Sequence, residues 1–196
     1  GGTQYYTASM ASLRSWDKTT NTTLYAGWTM NSYTVTFNSN GGSAVTPQTI
    51  EYGGLIAQPS NPTKTGYTFS GWYKESTFTN LWDFNVDTVN ANTTLYAKWT
   101  GKTYNITFDK QSGTGGTNSV TATYGAAMPT ATKPTRTGYT FGGYWDATSG
   151  GTQYYTSSMT SARSWDKTEN TTLYARWTIN SYTVTFNSNG GSAVTS

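Results

Sequence analysis

The sequence predicts a mainly β protein made of small tandem modules, each with four to five short strands and at most one short helix. Three observations support this prediction. Residues 1–47 recur at residues 150–196 with 40 identities in 47 positions, which indicates a repeat architecture. Apolar and polar residues alternate in short runs, as they do in strands with one buried face. Gly-rich tracts separate these runs and supply tight turns.

A second, more diverged period lies inside this long repeat. The run at 33–37 returns at 104–108 and 182–186, and the Pro-Thr-(Lys/Arg)-Thr-Gly-Tyr-Thr-Phe block at 62–69 returns at 134–141. We therefore predict two complete modules with short, stiff connections between them. The predicted segments are a C-terminal half module at 1–30, a complete module at 31–100, a complete module with an insertion at 101–178, and the N-terminal part of a further module at 179–196.

The strand predictions rest on alternation with a period of two. In residues 33–37 the Tyr, Val and Phe side chains fall on one face and two Thr side chains on the other. In the closing block, Leu95, Ala97 and Trp99 alternate with Tyr96 and Lys98. This pattern predicts that Trp99, and Trp177 in the second module, point inward near the end of a strand.

One segment departs from the strand pattern. Apolar residues at 10, 13 and 16, and again at 159, 162 and 165, are spaced by three. This spacing predicts a short helix or helical turn at 7–15 and 156–164, with Ser9 or Ser158 as its N-cap.

Composition excludes several classes of function. The chain has no His and no Cys, so imidazole, thiolate and disulfide chemistry lack their residues and we expect no metal or other cofactor. A net charge of +3 spread over 196 residues offers no patch for a phosphate backbone, so we expect no nucleic-acid partner. No apolar run is long enough to span a bilayer, so we expect no membrane insertion in this segment. The chain starts without Met or a signal peptide, which suggests a piece of a longer protein.

An enzyme would have to use carboxylates or Lys. Asp83 and Asp87 lie four residues apart, but no carboxylate pair recurs in both modules. A glycosidase needs two carboxylates about 5 to 9.5 Å apart. We therefore predict no catalytic residue and no enzymatic activity.

Adjacent aromatic residues are the stronger candidates for a contact surface, because one member of each pair on a strand should face outward. Such rings could pack against neighbouring modules or other chains, or stack on sugars. Asn-x-Ser/Thr sequons also occur at Asn21, Asn92, Asn105 and Asn170, and these are candidate glycosylation sites. The predicted contact aromatics are Tyr5, Tyr6, Tyr73, Tyr96, Tyr144, Tyr154, Tyr155 and Tyr174.

The order of three blocks resembles the Listeria-Bacteroides repeat, also called the internalin B-type repeat of bacterial surface proteins. The blocks are YTVTFNSNGGSAVTPQTIEYGG, NPTKTGYTFSGWY and WDFNVDTVNANTTLYAKW. The resemblance implies small β-grasp-like (ubiquitin-like) modules in exported, cell-surface or cell-wall-attached proteins. It implies no catalytic residues.

On these grounds we expect an extracellular structural segment, either a stalk or spacer or the filament-forming part of an adhesin. Its partners would be copies of itself or neighbouring modules. The alternative is an adhesive module that binds a surface glycan or a host protein through exposed Trp and Tyr. The half modules at the two ends fit either a window onto a longer array or completion by another chain, and the window is favoured because trans completion would still lack the 62–69 block.

Overall fold

A computed structural model describes residues 2–192. The first residue of the predicted half module 1–30 and the last four of the predicted segment 179–196 lie outside the described residues. The chain divides into two compact units, residues 1–31 and residues 32–196, and both predicted complete modules lie in the second unit except for Asn31. The module boundaries at residues 100 and 178 stay predictions.

Strands make up the regular structure, and residues 2–192 contain no helix. β-Branched and aromatic residues are the commonest in these strands, because such side chains pack well on a pleated surface. In chain order the strands are β1 (Ser32–Asn38), β2 (Gln48–Glu51), β3 (Gly54–Leu55), β4 (Tyr67–Tyr73), β5 (Thr88–Val89), β6 (Thr93–Gly101), β7 (Thr103–Asp109), β8 (Ser119–Thr123), β9 (Tyr139–Trp145), β10 (Gln153–Tyr155) and β11 (Thr171–Ile179). The first module has six strands rather than the expected four to five, because β3 and β5 form a two-residue ladder too short to show alternation.

Each module is built on one mixed sheet whose first and last strands are parallel neighbours. The strand orders are β2-β1-β6-β4 in the first module and β10-β9-β11-β7-β8 in the second. The parallel register places Phe37 opposite Leu95 and Phe108 opposite Leu173. The residues between the two paired strands form the crossover that parallel neighbours require.

A bulge in β4 and in β9 brings two aromatic residues of one strand into the core. Phe69 lies opposite Trp99 and Trp72 lies opposite Ala97, with a shift of register between them. Residues three apart on a regular strand face opposite sides, and the extra residue of a bulge cancels this difference. The rings of Phe69 and Trp72 consequently lie 5.4 Å apart. Gly71 supplies the positive φ of 119° at this point, which a side chain would strain.

Two separate apolar cores result, one in each module. Both are rich in aromatic residues, which bury a large area for each side chain. The first core contains Val35, Phe37, Ile56, Trp72, Trp82, Val89, Leu95 and Ala97. The second contains Ile106, Phe108, Ala122, Met128, Phe141, Tyr144, Tyr154, Tyr155, Trp165, Leu173 and Ala175.

The unit formed by residues 1–31 contains a small local cluster around Tyr5. The Tyr5 hydroxyl donates to Asp17, which also forms an ion pair of 2.7 Å with Arg14. The hydrogen bond from Tyr5 lowers the pKa of Asp17 below its ordinary value, with Arg14 acting in the same direction. The Trp16 ring packs 5.2 Å from Tyr5. This unit has no strand of its own among the described residues.

The predicted helices at 7–15 and 156–164 are wrong. Both segments form tight turns closed by backbone bridges, between Tyr6 and Ser12 and between Tyr155 and Ser161. Met10 and Met159 have φ values of 62° and 63°, outside the right-handed helical region. The spacing of three therefore reflects a turn, and Ser9 and Ser158 bond to neighbouring Thr hydroxyls instead of capping a helix.

The core of the second module offers a matched pair of Tyr hydroxyls. The Tyr155 hydroxyl donates to Pro129 O at 2.7 Å, whereas the buried Tyr144 hydroxyl has no partner among the described residues. Burial raises the pKa of both Tyr144 and Tyr155 to about 12, with the charge of Asp109 adding to the effect at Tyr144.

We predict that Tyr144→Phe raises the free energy of unfolding by about 1 kcal/mol, because it removes an unpaired buried hydroxyl. Tyr155→Phe should lower it by about 1 kcal/mol, because it leaves the Pro129 carbonyl without its donor. Urea unfolding followed by near-ultraviolet circular dichroism measures both changes. Equal destabilisation by the two substitutions would contradict the assignment.

Candidate functional site

The junction between the two complete modules is clamped through a single residue. β6 ends at Gly101 and β7 begins at Thr103, so only Lys102 lies between the strands. Its backbone N–H donates to Gly66 O in the first module, and its carbonyl accepts from Tyr124 N–H in the second, both at 2.9 Å. Both backbone polar groups of the link are thus fixed, which removes the freedom that a linker ordinarily has.

Side chains from both modules close this junction. The rings of Tyr67 and Tyr124 lie 5.3 Å apart in an edge-to-face arrangement, which is favourable for aromatic pairs. A Cβ on Gly66 would lie 2.4 Å from the Tyr124 ring, and a Cβ on Gly125 would lie 2.4 Å from the Tyr67 hydroxyl. Both glycines also have a φ of 78°, so two independent constraints exclude a side chain there.

The matching positions outside the junction are open. A Cβ on Gly53, the counterpart of Gly125, would meet nothing within 4 Å, and the same holds for Gly138, the counterpart of Gly66. Even so, Asn180 N–H donates to Gly138 O at 2.9 Å, as Lys102 does to Gly66 O. The chain therefore leaves both modules along the same hydrogen-bonded path.

An open groove of about 320 Å³ runs along the 62–69 block of the first module. The Lys64 ammonium lies 4.8 Å from the centre of the Tyr67 ring and 5.8 Å from that of Trp99. It donates to Asn40 O at 2.8 Å. Lys102 lines the same groove.

The second module has the equivalent groove, with a volume of about 610 Å³, along the 134–141 block. The Arg136 guanidinium lies 3.9 Å from the centre of the Tyr139 ring and donates to Gln111 O at 3.2 Å. Trp177 and Lys133 also line this groove. Each module therefore lines its groove with a cation, a Tyr ring and a Trp ring at matching sequence positions.

The Trp of each groove is held in the same way. Trp99 Nε1 donates to Ser39 O, and Trp177 Nε1 donates to Lys110 O, both at 2.9 Å. The turn that follows presses against the indole, since a Cβ on Gly42 would lie 2.4 Å from Trp99 Cζ2. At Gly113 the corresponding distance to Trp177 Cζ2 is 2.6 Å. Both indoles are therefore fixed by a hydrogen bond and by a turn that has room only for Gly.

Half of the predicted contact aromatics lie in the interior. The second module has Tyr-Trp where the first has Trp-Tyr, so Tyr144 takes the position that Trp72 has in the first core. The next residue, Trp145, is on the other face of the strand, and the Arg176 guanidinium lies over its ring. Tyr154 and Tyr155 are both buried because a register shift in β10 breaks the alternation. Tyr5 is buried in its own unit. For Tyr5, Tyr144, Tyr154 and Tyr155 the expectation of an outward ring is wrong.

The remaining predicted aromatics reach the surface. Tyr6 is exposed, and Tyr73, Tyr96 and Tyr174 are half-buried. Lys98 lies 4.9 Å from the centre of the Tyr73 ring. A contact role for these four residues stays a prediction.

All four sequon residues, Asn21, Asn92, Asn105 and Asn170, are exposed. Two of them also have a structural role. Asn92 Oδ1 accepts from Thr34 N–H at 2.9 Å, and Asn170 Oδ1 accepts from Asn105 N–H at 2.8 Å. These bonds join the Asn-Thr-Thr turn to the first strand of the module where the parallel pairing begins. Glycosylation stays a prediction.

The two acidic residues that lie four apart in the sequence, Asp83 and Asp87, stabilise a loop. Asp87 pairs with Lys74 at 2.6 Å and accepts from Asp83 N–H at 2.8 Å. These two hydrogen bonds hold the pKa of Asp87 below its ordinary value, whereas a general acid needs a raised one. In the part of the chain that the structure describes, no cluster of three acidic residues could hold a metal ion.

The model of the Listeria-Bacteroides repeat domain matches residues 33–98 and 104–176. The chain belongs to this family. Internalin H of Listeria monocytogenes is 38% identical over 151 residues, which cover 76% of this chain and 25% of that protein. Two proteins of Evansella cellulosilytica are 40% and 41% identical over 177 residues, 88% of this chain. They are provisionally named a membrane protein and a Gly-rich membrane protein, and the chain spans 25% and 19% of their lengths.

Sequence reasoning missed the cationic grooves of this repeat. Lys64 and Arg136 stand at the same place in the recurring 62–69 and 134–141 blocks, so their recurrence was visible. The sequence did not reveal that these cations share a groove with Trp99 and Trp177. That depends on each Trp bonding to a turn about 60 residues earlier in the chain.

We predict that Gly42→Ala destabilises the first module by about 1 to 3 kcal/mol, as overpacking against a fixed Trp does. Gly191→Ala is the matched control, because Gly191 occupies the same place in the third copy of this turn but a Cβ there would meet only Ser188. Thermal unfolding measures both. An equal effect of the two substitutions would show that the contact with Trp99 is unimportant.

Proposed function

We propose that this segment is a non-catalytic structural spacer or stalk in an extracellular, cell-surface or cell-wall-attached bacterial protein. Membership of the Listeria-Bacteroides repeat family and the similarity to Internalin H support the assignment to a surface protein. The described residues contain no helix of the length and apolarity needed to cross a bilayer.

We further propose that the modules are variants of the β-grasp fold. An antiparallel first hairpin and the parallel pairing of the first and last strands support this proposal. The described residues of the modules lack a helix across the sheet, and loop segments with Trp82 and Met128 supply apolar cover to the two cores.

The observation that carries the stalk proposal is the clamped junction. A spacer must transmit its direction from one module to the next, and a linker with free backbone groups would lose that direction within a few modules. Here the link is one residue with both polar groups bonded, and Tyr67 packs on Tyr124 across it.

Spin labels measure this stiffness. The chain has no Cys, so Cys introduced at the exposed positions Ser76 and Ser149 would be the only labelled sites. We predict one narrow distance distribution in double electron–electron resonance for this labelled chain. Tyr124→Ala should broaden it, because the aromatic contact across the junction is lost.

Tyr52→Ala is the matched control, since Tyr52 precedes Gly53 as Tyr124 precedes Gly125 but its side chain is 56% exposed. This variant should keep the narrow distribution. Circular dichroism establishes that both variants are folded. A broad distribution in the chain without either substitution would overturn the stalk proposal.

The second candidate function is adhesion to a glycan or a host protein. The surface Tyr residues support it less than first expected, because half of the predicted set is buried. Its best support is the pair of equivalent cationic grooves.

A further inference from the structure

We propose that the two grooves are binding sites for a carboxylate-bearing polysaccharide. The proposal rests on the adhesive candidate function; only its argument for a polymeric ligand also uses the clamped junction of the stalk proposal. The sequence led us to expect a glycan-binding surface of exposed Trp and Tyr side chains. The present proposal differs in that the ligand is anionic and the binding residues are the groove cations Lys64, Lys102, Lys133 and Arg136 with the adjoining rings.

Charge is the first argument. Each groove is lined by two cationic side chains, Lys64 and Lys102 in the first and Lys133 and Arg136 in the second. Among the described residues that line either groove, none is acidic. In a chain where only 11% of residues are charged, this pairing selects an anionic ligand.

The donors of the inner cations are only partly used. The structure gives the Lys64 ammonium one hydrogen bond, to Asn40 O, and the Arg136 guanidinium one, to Gln111 O. An ammonium has three donors and a guanidinium five. These bonds to turn carbonyls hold each cation at the groove wall and leave further N–H groups for a carboxylate, which forms strong charge-assisted hydrogen bonds.

The rest of the lining suits a sugar. Tyr67 and Trp99 line the first groove and Tyr139 and Trp177 the second, and in each the cation lies over the face of the Tyr ring. Thr and Ser hydroxyls line the same walls and can bond to sugar hydroxyls. The groove volumes fall within the range of about 300 to 1,000 Å³ that is usual for ligand sites. Both grooves are open to solvent.

Repetition favours a polymer over a single small anion. A cation bonded to a turn carbonyl, a Tyr ring and a Trp ring recur in both modules, with Lys64 in the first and Arg136 in the second. The clamp at Lys102 holds the two sites in a fixed relation. For a ligand that has a carboxylate on each sugar and is long enough to span the two sites, the second contact would form at high effective concentration.

The experiment compares polygalacturonate with its fully methyl-esterified form, which has the same backbone but no charge. Binding to the whole chain is followed by titration calorimetry and by the indole N–H signals of Trp99 and Trp177 in NMR spectra. We expect binding of polygalacturonate only, with shifts of both indole signals. Raising the salt concentration from 0.05 to 0.5 M should weaken the binding of polygalacturonate by about tenfold, because salt screens the exposed charges.

The test variant is Lys102→Gln with Lys133→Gln, since both side chains are exposed and neither forms a hydrogen bond within residues 2–192. We expect about a tenfold loss of affinity for each cation removed. Lys18→Gln with Lys98→Gln is the control with the same change of net charge outside the grooves, and it should bind as the parent chain does.

Three outcomes would overturn the proposal: no binding of polygalacturonate, equal binding of the ester, or equal losses in the two double variants. Equal binding of the ester that is abolished by Tyr73→Ala and Tyr96→Ala would refute the grooves and still leave adhesion through surface Tyr standing. The spin-label result on the stalk is unaffected by any of these.

Discussion

The module depends on the parallel pairing of its first strand with its last. In the register that joins β1 to β6, Phe37 lies opposite Leu95, and the residues between the two strands fold over one face to cover them. The Asn side chain at 92 or 170 fixes the start of this pairing by accepting from the first strand. Because the partners are about 60 residues apart, their contact costs considerable chain entropy, and the aromatic core gained at the same step offsets that cost.

Copies of the same sequence in different surroundings show which parts are local. The cluster of Tyr5, Asp17 and Arg14 has the same contacts as Tyr154, Asp166 and Arg163, although the rest of the module is present only around the second. The strands behave differently. Leu173 in β11 is fully buried, whereas Leu24 at the same place in residues 1–31 is 46% exposed and lies outside any strand. In the second module the turn is closed by a bridge between Tyr155 and Ser161, whereas β11 pairs with β7, more than 60 residues earlier in the chain.

This difference explains what could be predicted from the sequence. Alternation identified β1, β6, β7 and β11. Trp99 and Trp177, which it predicted to point inward, are half-buried: they pack on Phe69 and Phe141 and also line the grooves. Bulges were not visible to an argument from alternation. The shifts in β4, β9 and β10 place adjacent or third-neighbour aromatics on one side, which buried Tyr144, Tyr154 and Tyr155. The only sequence signal was the Gly at 71 and 143, whose positive φ permits the bulge in β4 and in β9.

The groove and the junction of the first module share residues. Lys102 fixes the junction with its backbone and lines the groove with its side chain, and Tyr67 packs on Tyr124 while its ring also lies beside Lys64. A ligand in this groove would touch a residue that is already held by two modules. The side chains on that side of the groove are then largely ordered when the protein folds, so ligand binding costs less entropy, which is the advantage of a preorganised site. In an array built this way, the stiffness proposed for the stalk and the preorganisation proposed for its grooves would have the same structural cause.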